Sequence, residues 1–154
     1  MAQTVIKGNF ERFDASEFKV GLVAAQFNKD ITEGLLESAI GILDQYAVPK
    51  SSIAIYRVAG SIEIPVILQS LAKTKQYDCL LAIGAVIRGQ TPHFDYVAKI
   101  VSEGVLRVML DNSIPVGFGV LTCDNHEQAR ARIHVGGEAA EAALQSAKLI
   151  DERG

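Results

Sequence analysis

The junction that most limits what this chain can become is an almost unbroken apolar run, Cys79–Ile87, followed at once by Arg88-Gly89-Gln90-Thr91-Pro92-His93. The run has the length and composition of a strand buried on both faces, which antiparallel sheets with one wet face do not supply. Thr91-Pro92 reads as a helix N-cap followed by a first-turn proline. Beyond it Phe94, Val97, Ala98, Val101, Val105, Val108 and Met109 recur at helical spacing. A buried strand therefore feeds a short polar turn and a helix N-terminus, where free backbone N–H groups and the helix dipole favour an anion. His93 stands in the first turn beside that position, which makes this junction the first place to look for chemistry.

The rest of the chain repeats the same alternation. Phe18–Gln26 reads as a first buried strand, and Asp30-Ile31-Thr32-Glu33 has the spacing of a capping box. Ile31, Leu35, Leu36, Ala39, Ile42 and Leu43 then mark one face of a helix that Val48-Pro49 stops. Ile53–Val58 is a second strand, and Glu63–Lys73 a helix with Pro65 tolerated in its first turn. Val116–Leu121 is a fourth strand. Asp124-Asn125-His126-Glu127 is a second capping-box candidate, opening a polar helix through Arg132. Gly136-Gly137 is read as a break, with an Ala-rich helix from Glu138 to about Ile150. This β-α-β-α-β-α-β-α(α) order predicts a flavodoxin-like three-layer α/β sandwich, a four-stranded parallel sheet with helices on both faces. Residues 1–154 form one domain on this reading, with 1–17 as an N-terminal arm whose β-prone Thr4–Ile6 can add a strand to a neighbouring subunit's sheet.

Composition removes several classes of function. A formal charge of −3 and the lack of any Lys/Arg block give no electrostatic case for nucleic acid. No apolar run approaches the roughly 18 residues a membrane helix needs. MAQTVIKGNF lacks the apolar core of a signal peptide, so a cytoplasmic protein is expected. Cys79 and Cys123 lack metal-ligand spacing and are expected to be buried as small apolar residues.

In a parallel sheet, ligands bind beyond the carboxyl ends of the strands at a switch in strand order. Four loops therefore belong together: Gln26–Lys29, Ala59–Glu63, Arg88–His93 and Thr122–Asn125. Gly89-Gln90-Thr91 suits a small phosphorylated ligand, whereas the absence of GxxxxGK[ST] and GxGxxG argues against a nucleotide triphosphate or dinucleotide. A lone histidine is more often structural or exposed. The setting of His93 favours proton transfer instead, while His126 and His134 read as surface residues. Glu63 is either a dipole partner for its own helix or an acceptor for a polar ligand. Phe27 is a core residue or a stacking platform for a planar ring, with core the default, and Phe118 inside the fourth strand is core by the same default. Arg130 and Arg132 are solvated charges unless one turns toward a phosphate.

Taken together these segments resemble the lumazine synthases of riboflavin biosynthesis, from about Gly8 to Ile150. The most specific part is Gly84–Val97, GAVIRGQTPHFDYV, similar to the pattern G-x-[VL]-I-[RK]-G-x-T-x-H-[FY]-[DE]-Y. Gln26-Phe27-Asn28, Gly60–Pro65 (GSIEIP) and Pro115–Ala129 (PVGFGVLTCDNHEQA) support it. The resemblance implies a cofactor-free, metal-free condensation. In it 5-amino-6-(D-ribitylamino)uracil and 3,4-dihydroxy-2-butanone 4-phosphate give 6,7-dimethyl-8-ribityllumazine, phosphate and water. It also implies roles. Phe27 stacks on the pyrimidine; Ser61, Ile62 and Glu63 hold the ribityl chain; Ala85, Val86 and Ile87 run along the pyrimidine. Gln90 and Thr91 sit at the phosphate and His93 transfers protons. It implies a homopentamer, or multiples of one up to a capsid, with sites between subunits. Phe118 and Arg132 then reach the neighbour's ligands, Arg132 at the phosphate. The chain departs from the family pattern at Gln26, at Ile62 and after Arg132, where Ile133–Gly137 is short and lacks a lysine. That last departure motivates an alternative of another class, a flavin- or lumazine-binding assembly protein without catalysis.

Overall fold

Both faces of Cys79–Ile87 are covered, which is why its sequence shows no alternation. Cys79, Leu81, Ile83 and Ala85 enter one apolar core, while Leu80, Ala82 and Val86 enter the other. The computed structural model describes residues 11–153. Among the described residues four strands form one parallel sheet: Val20–Ala25 (β1), Ile53–Val58 (β2), Cys79–Ile87 (β3) and Val116–Cys123 (β4). Their order is β2-β1-β3-β4, so the direction of winding reverses between β1 and β3. This is the expected flavodoxin-like architecture. Val20 sits opposite Ile53 on one side and Cys79 on the other, and Leu80 sits opposite Val116.

The helices are Lys29–Gln45 (α1), Ile64–Lys73 (α2), His93–Asn112 (α3), His126–Arg130 (α4) and Val135–Arg153 (α5). α1 and α5 cover one face, packing Ile31, Leu35, Ala39 and Leu43 with Ala140, Ala143 and Leu144 against Leu22, Ala24 and Leu81. α2 and α3 cover the other, packing Ile64, Leu68, Val101, Val105 and Val108 against Val23, Leu80 and Ala82. Each fully buried Leu or Val contributes roughly 1.5–3 kcal/mol of apolar transfer free energy, so the two layers lock the sheet from both sides. Tyr46 is buried and its hydroxyl donates to Glu141 Oε2 at 2.9 Å, tying the end of α1 to α5.

Several boundaries differ from the sequence reading. α1 begins ahead of the Asp30–Glu33 box, at an Asn28 cap in the left-handed region (φ 61°), and no side chain caps it. Asp30 is left free to accept from His126 Nε2 at 2.7 Å. α3 begins one residue later than expected, with Pro92 as its cap, and Thr91 Oγ1 accepts only a long 3.4 Å bond from the His93 N–H. The second capping box is shifted by one residue. Asn125 Oδ1 accepts from the Gln128 N–H at 2.9 Å, and Gln128 Oε1 accepts from the Asp124 N–H at 2.8 Å.

Gly136-Gly137 does not break the chain; both lie in the first turn of α5. A Cβ on Gly136 would stand 2.0 Å from the Leu35 carbonyl oxygen, so glycine is what lets α5 close onto α1. Phe118 is not core. It is 40% exposed because β4 is an edge strand and no described element covers that position. The β-prone Thr4–Ile6 lies outside the described residues. The described end of the 1–17 arm is anchored, with the Ala15 N–H donating to Tyr46 O at 2.7 Å and Phe13 edge-on to Tyr46. Among the described residues, no helix is long and apolar enough to cross a membrane and no cluster of acidic, His or Cys side chains is arranged to hold a metal.

Candidate active site

A cavity of about 340 Å³ opens at the carboxyl ends of β1 and β3, where the winding reverses. Three of the four loops singled out above build it. Phe27 and Asn28 come from the loop after β1, Gly60–Glu63 from the loop after β2, and Gly89, Thr91 and His93 from the loop and helix start after β3. Ala85, Val86 and Ile87 form its floor, and Phe94 and Val97 of α3 close one side.

Backbone bonds hold these pieces in register. The Gln26 and Phe27 N–H groups donate to Val58 O at 2.8 Å and Ala59 O at 3.0 Å, fastening the first loop to the second. Asn28 Nδ2 donates to Ala85 O at 2.9 Å, fastening the first loop to the floor. Glu63 Oε1 accepts from the Gly60 N–H at 2.9 Å, which folds the second loop back on itself and fixes the carboxylate at the cavity wall. Gly84 lets this loop approach the strand, since a Cβ there would stand 2.7 Å from Ser61 Oγ. Ser61 is consequently buried, whereas Ile62 and Glu63 face outward into the opening.

The walls are divided by chemistry. Phe27, 72% exposed, and Ile62 present bare apolar surface, with Ala85 and Val86 below them. Such surface suits a flat ring, and Phe27 is exposed at the cavity rather than part of the core. The opposite end carries Gly89, Thr91 and His93 at the start of a twenty-residue helix. In that first turn the Asp95 N–H donates to Pro92 O at 3.0 Å and the His93 N–H makes only the long bond to Thr91, while the helix dipole favours negative charge there. An apolar slot thus runs into an anion-favouring end with an imidazole beside it.

The family model described as 6,7-dimethyl-8-ribityllumazine synthase matches residues 17–151. The chain belongs to the 6,7-dimethyl-8-ribityllumazine synthase family. A protein of that name from Desulfovibrio desulfuricans is 42% identical over 146 residues, covering 92% of this chain and 94% of its own length. Another from Thermobifida fusca is 45% identical over 152 residues, covering 92% of this chain and 87% of its own.

Of the lumazine synthase positions expected from the sequence, the cavity gathers Phe27, Ser61, Ile62, Glu63, Ala85, Val86, Ile87, Thr91 and His93. Gln90 is exposed in the loop after β3 but does not line the cavity, where Gly89 and Thr91 stand instead. Phe118 and Arg132 are elsewhere. Phe118 lines a separate groove with Met109, Ile114 and Ala143, and Arg132 is exposed beyond α4, its Nη1 donating to Gln128 O at 2.9 Å. Asn28, Phe94 and Val97 were given no site role by sequence reasoning. For Asn28 a signal existed, because asparagine tolerates the left-handed conformation better than most residues. Phe94 and Val97 follow the helical spacing of core positions, and only the end of the sheet turns them toward the cavity. His134 is exposed as expected, while His126 is half-buried and paired with Asp30.

Proposed function

We propose that the chain condenses 5-amino-6-(D-ribitylamino)uracil with 3,4-dihydroxy-2-butanone 4-phosphate to 6,7-dimethyl-8-ribityllumazine, releasing phosphate and water. The observation that carries this reading is the joining, in one cavity, of the bare Phe27 ring, the Ser61–Glu63 edge and the Thr91–His93 helix start. The flat pyrimidine lies on Phe27 above Ala85–Ile87. Its ribityl hydroxyls meet Ser61 and Glu63, whose second carboxylate oxygen remains available after Oε1 has accepted from Gly60. The phosphate of the ketone occupies the end lined by Gly89 and Thr91, with Gln90 beside it.

The substrates carry their own reactivity: an aromatic amine adds to a ketone and one water leaves to give an imine, phosphate is then eliminated, and the ribityl-bearing nitrogen closes the ring onto the remaining carbonyl with loss of a second water. The protein's contribution is to align amine and carbonyl and to move protons, for which effective concentration and a positioned imidazole suffice. His93 stands between the apolar slot and the anion end, where it serves both the carbonyl oxygen and the departing phosphate. Mixing the purified protein with both substrates is expected to produce the lumazine chromophore faster than the uncatalysed mixture. Equal rates would refute the reading.

The cavity is open toward solvent on one side, and we read the chain as a homo-oligomer, a ring of five, in which a neighbour closes it. Two observations support this. Val66, Tyr96, Ile100, Leu106, Leu110 and Phe118 are large apolar side chains left exposed on α2, α3 and β4. Phe118 and Arg132, both outside this chain's own cavity, are an aromatic and a phosphate-binding residue type facing outward. Native mass spectrometry is expected to give a pentamer or a multiple of it, and a monomer would overturn the shared site.

A further inference from the structure

Arg88 follows β3 directly and is not part of the cavity wall, yet it touches each element that frames the anion loop. Its backbone N–H donates to Cys123 O at 2.9 Å, extending the β3–β4 ladder to its last rung. Its Nε donates to Asp124 Oδ1 at 3.0 Å in the loop after β4. Its Nη1 lies 3.6 Å from Asp95 Oδ1 in the first turn of α3. Its guanidinium sits 4.4 Å from the centroid of the Phe94 ring, one of the cavity-lining side chains.

Without a cation here, Asp95 and Asp124 would place two carboxylates around Gly89-Gln90-Thr91, the segment that receives an anion. Asp95 is also where a carboxylate competes best for the positive end of the α3 dipole. A planar guanidinium can bond one carboxylate and pair with a second in another direction while its flat face stacks on a ring, and an ammonium has no such face.

We propose that Arg88 is a positioning residue for phosphate binding: it pins residues 89–91 between β4 and α3 and neutralises Asp95 and Asp124 beside the anion. It acts through the loop and does not itself grip the phosphate, since its fork is directed at the two aspartates and its face at Phe94. The inference rests on the reading of 89–91 as the phosphate loop.

The test measures inorganic phosphate binding to the assembled protein by calorimetry or phosphorus NMR, which needs no turnover, together with the KM for each substrate. Arg88→Gln is expected to weaken phosphate binding at least tenfold and to raise the KM of the phosphorylated ketone similarly. The KM of the pyrimidine and the kcat are expected to stay within twofold. Arg88→Lys keeps the charge without the fork and is expected to lose three- to fivefold, again for phosphate alone. Should Arg88→Gln not fold, judged by circular dichroism, the lysine variant decides. Phosphate affinity within twofold of wild type in the folded variants, or equal losses for both substrates, would overturn the proposal, as would a wild-type protein that binds no phosphate. A protein without synthase activity whose phosphate binding still falls in Arg88→Gln would refute the proposed reaction and leave the role of Arg88 standing.

Discussion

The carboxyl ends of β1 and β3 and the outer edge of β4 are built from the same kinds of residue and finished differently. At the first, Phe27, Ser61, Thr91 and His93 converge from the loops and helix start on one cavity over Ala85 of β3, held by Asn28, Glu63 and Gly84. By contrast Phe118 on β4 and Arg132, beyond α4, stand exposed with no common partner among the described residues. One end of the sheet is thus closed by its own chain, whereas Phe118 and Arg132 are left to solvent. A strand in the middle of the sheet has neighbours that fix what its last residues touch, whereas an edge strand leaves that to whatever docks on it.

The largest expected effect is a break in the packing that supports the finished region. Gly136→Val would drive a side chain into the Leu35 carbonyl, where backbone must move. A loss of about 3 kcal/mol is expected from overpacking of this kind, measured by urea unfolding. Loss under about 1 kcal/mol would show that α5 is free to slide on α1.

Next, His93→Ala is expected to lower kcat about a hundredfold, in the range for removal of a general acid–base. Stability should be unaltered, since His93 is exposed and only its backbone is hydrogen-bonded. Unchanged turnover in a steady-state assay would remove it from the mechanism. At the edge, Arg132→Ala is expected to raise the KM of the phosphorylated ketone about tenfold, the loss of one charge-assisted contact, with little change in the KM of the pyrimidine. Equal effects on both substrates would argue against a phosphate role.

The smallest effect concerns the strand itself. Burial pushes the Cys79 thiol far above its ordinary range, and the nearby Asp78 charge adds to this. Because the folded chain holds the proton more tightly than the unfolded one, this contribution is present below about pH 8.5 and is lost as pH rises further. Native Cys79 should therefore resist alkylation at pH 8, and Cys79→Ala should flatten the alkaline decline in stability seen by urea unfolding. Rapid labelling of the folded protein would contradict the burial.

What could be read in the sequence follows the same division. Cys79–Ile87 and Ile53–Val58 have the predicted bounds because a strand's apolar run ends where its covering layers end. The loops at the switch point were legible because glycine, proline and capping residues act locally. Asn28 starting α1 ahead of its apparent capping box was harder to see, since the choice depends on a bond from Asn28 to Ala85 across the sheet. The Gly136-Gly137 pair signals a break locally and a close helix contact only in three dimensions. The core default for Phe118 fails because strand order, not strand composition, puts β4 at the edge. The Arg88 cluster joins residues 88, 94, 95 and 124, a pairing no local pattern announces.

The central claim is that Phe118 and Arg132 of one chain complete the cavity of the next, and mixing two damaged variants tests it most directly. His93→Ala retains Arg132, and Arg132→Ala retains His93. Subunits of each, dissociated and reassembled together, should form some sites that carry both residues. Assayed at a low concentration of the phosphorylated ketone, the mixed assembly is predicted to exceed the summed activities of the two variants assembled alone. Activity equal to that sum, in an assembly shown by native mass spectrometry to contain both variants, would contradict a site shared between chains.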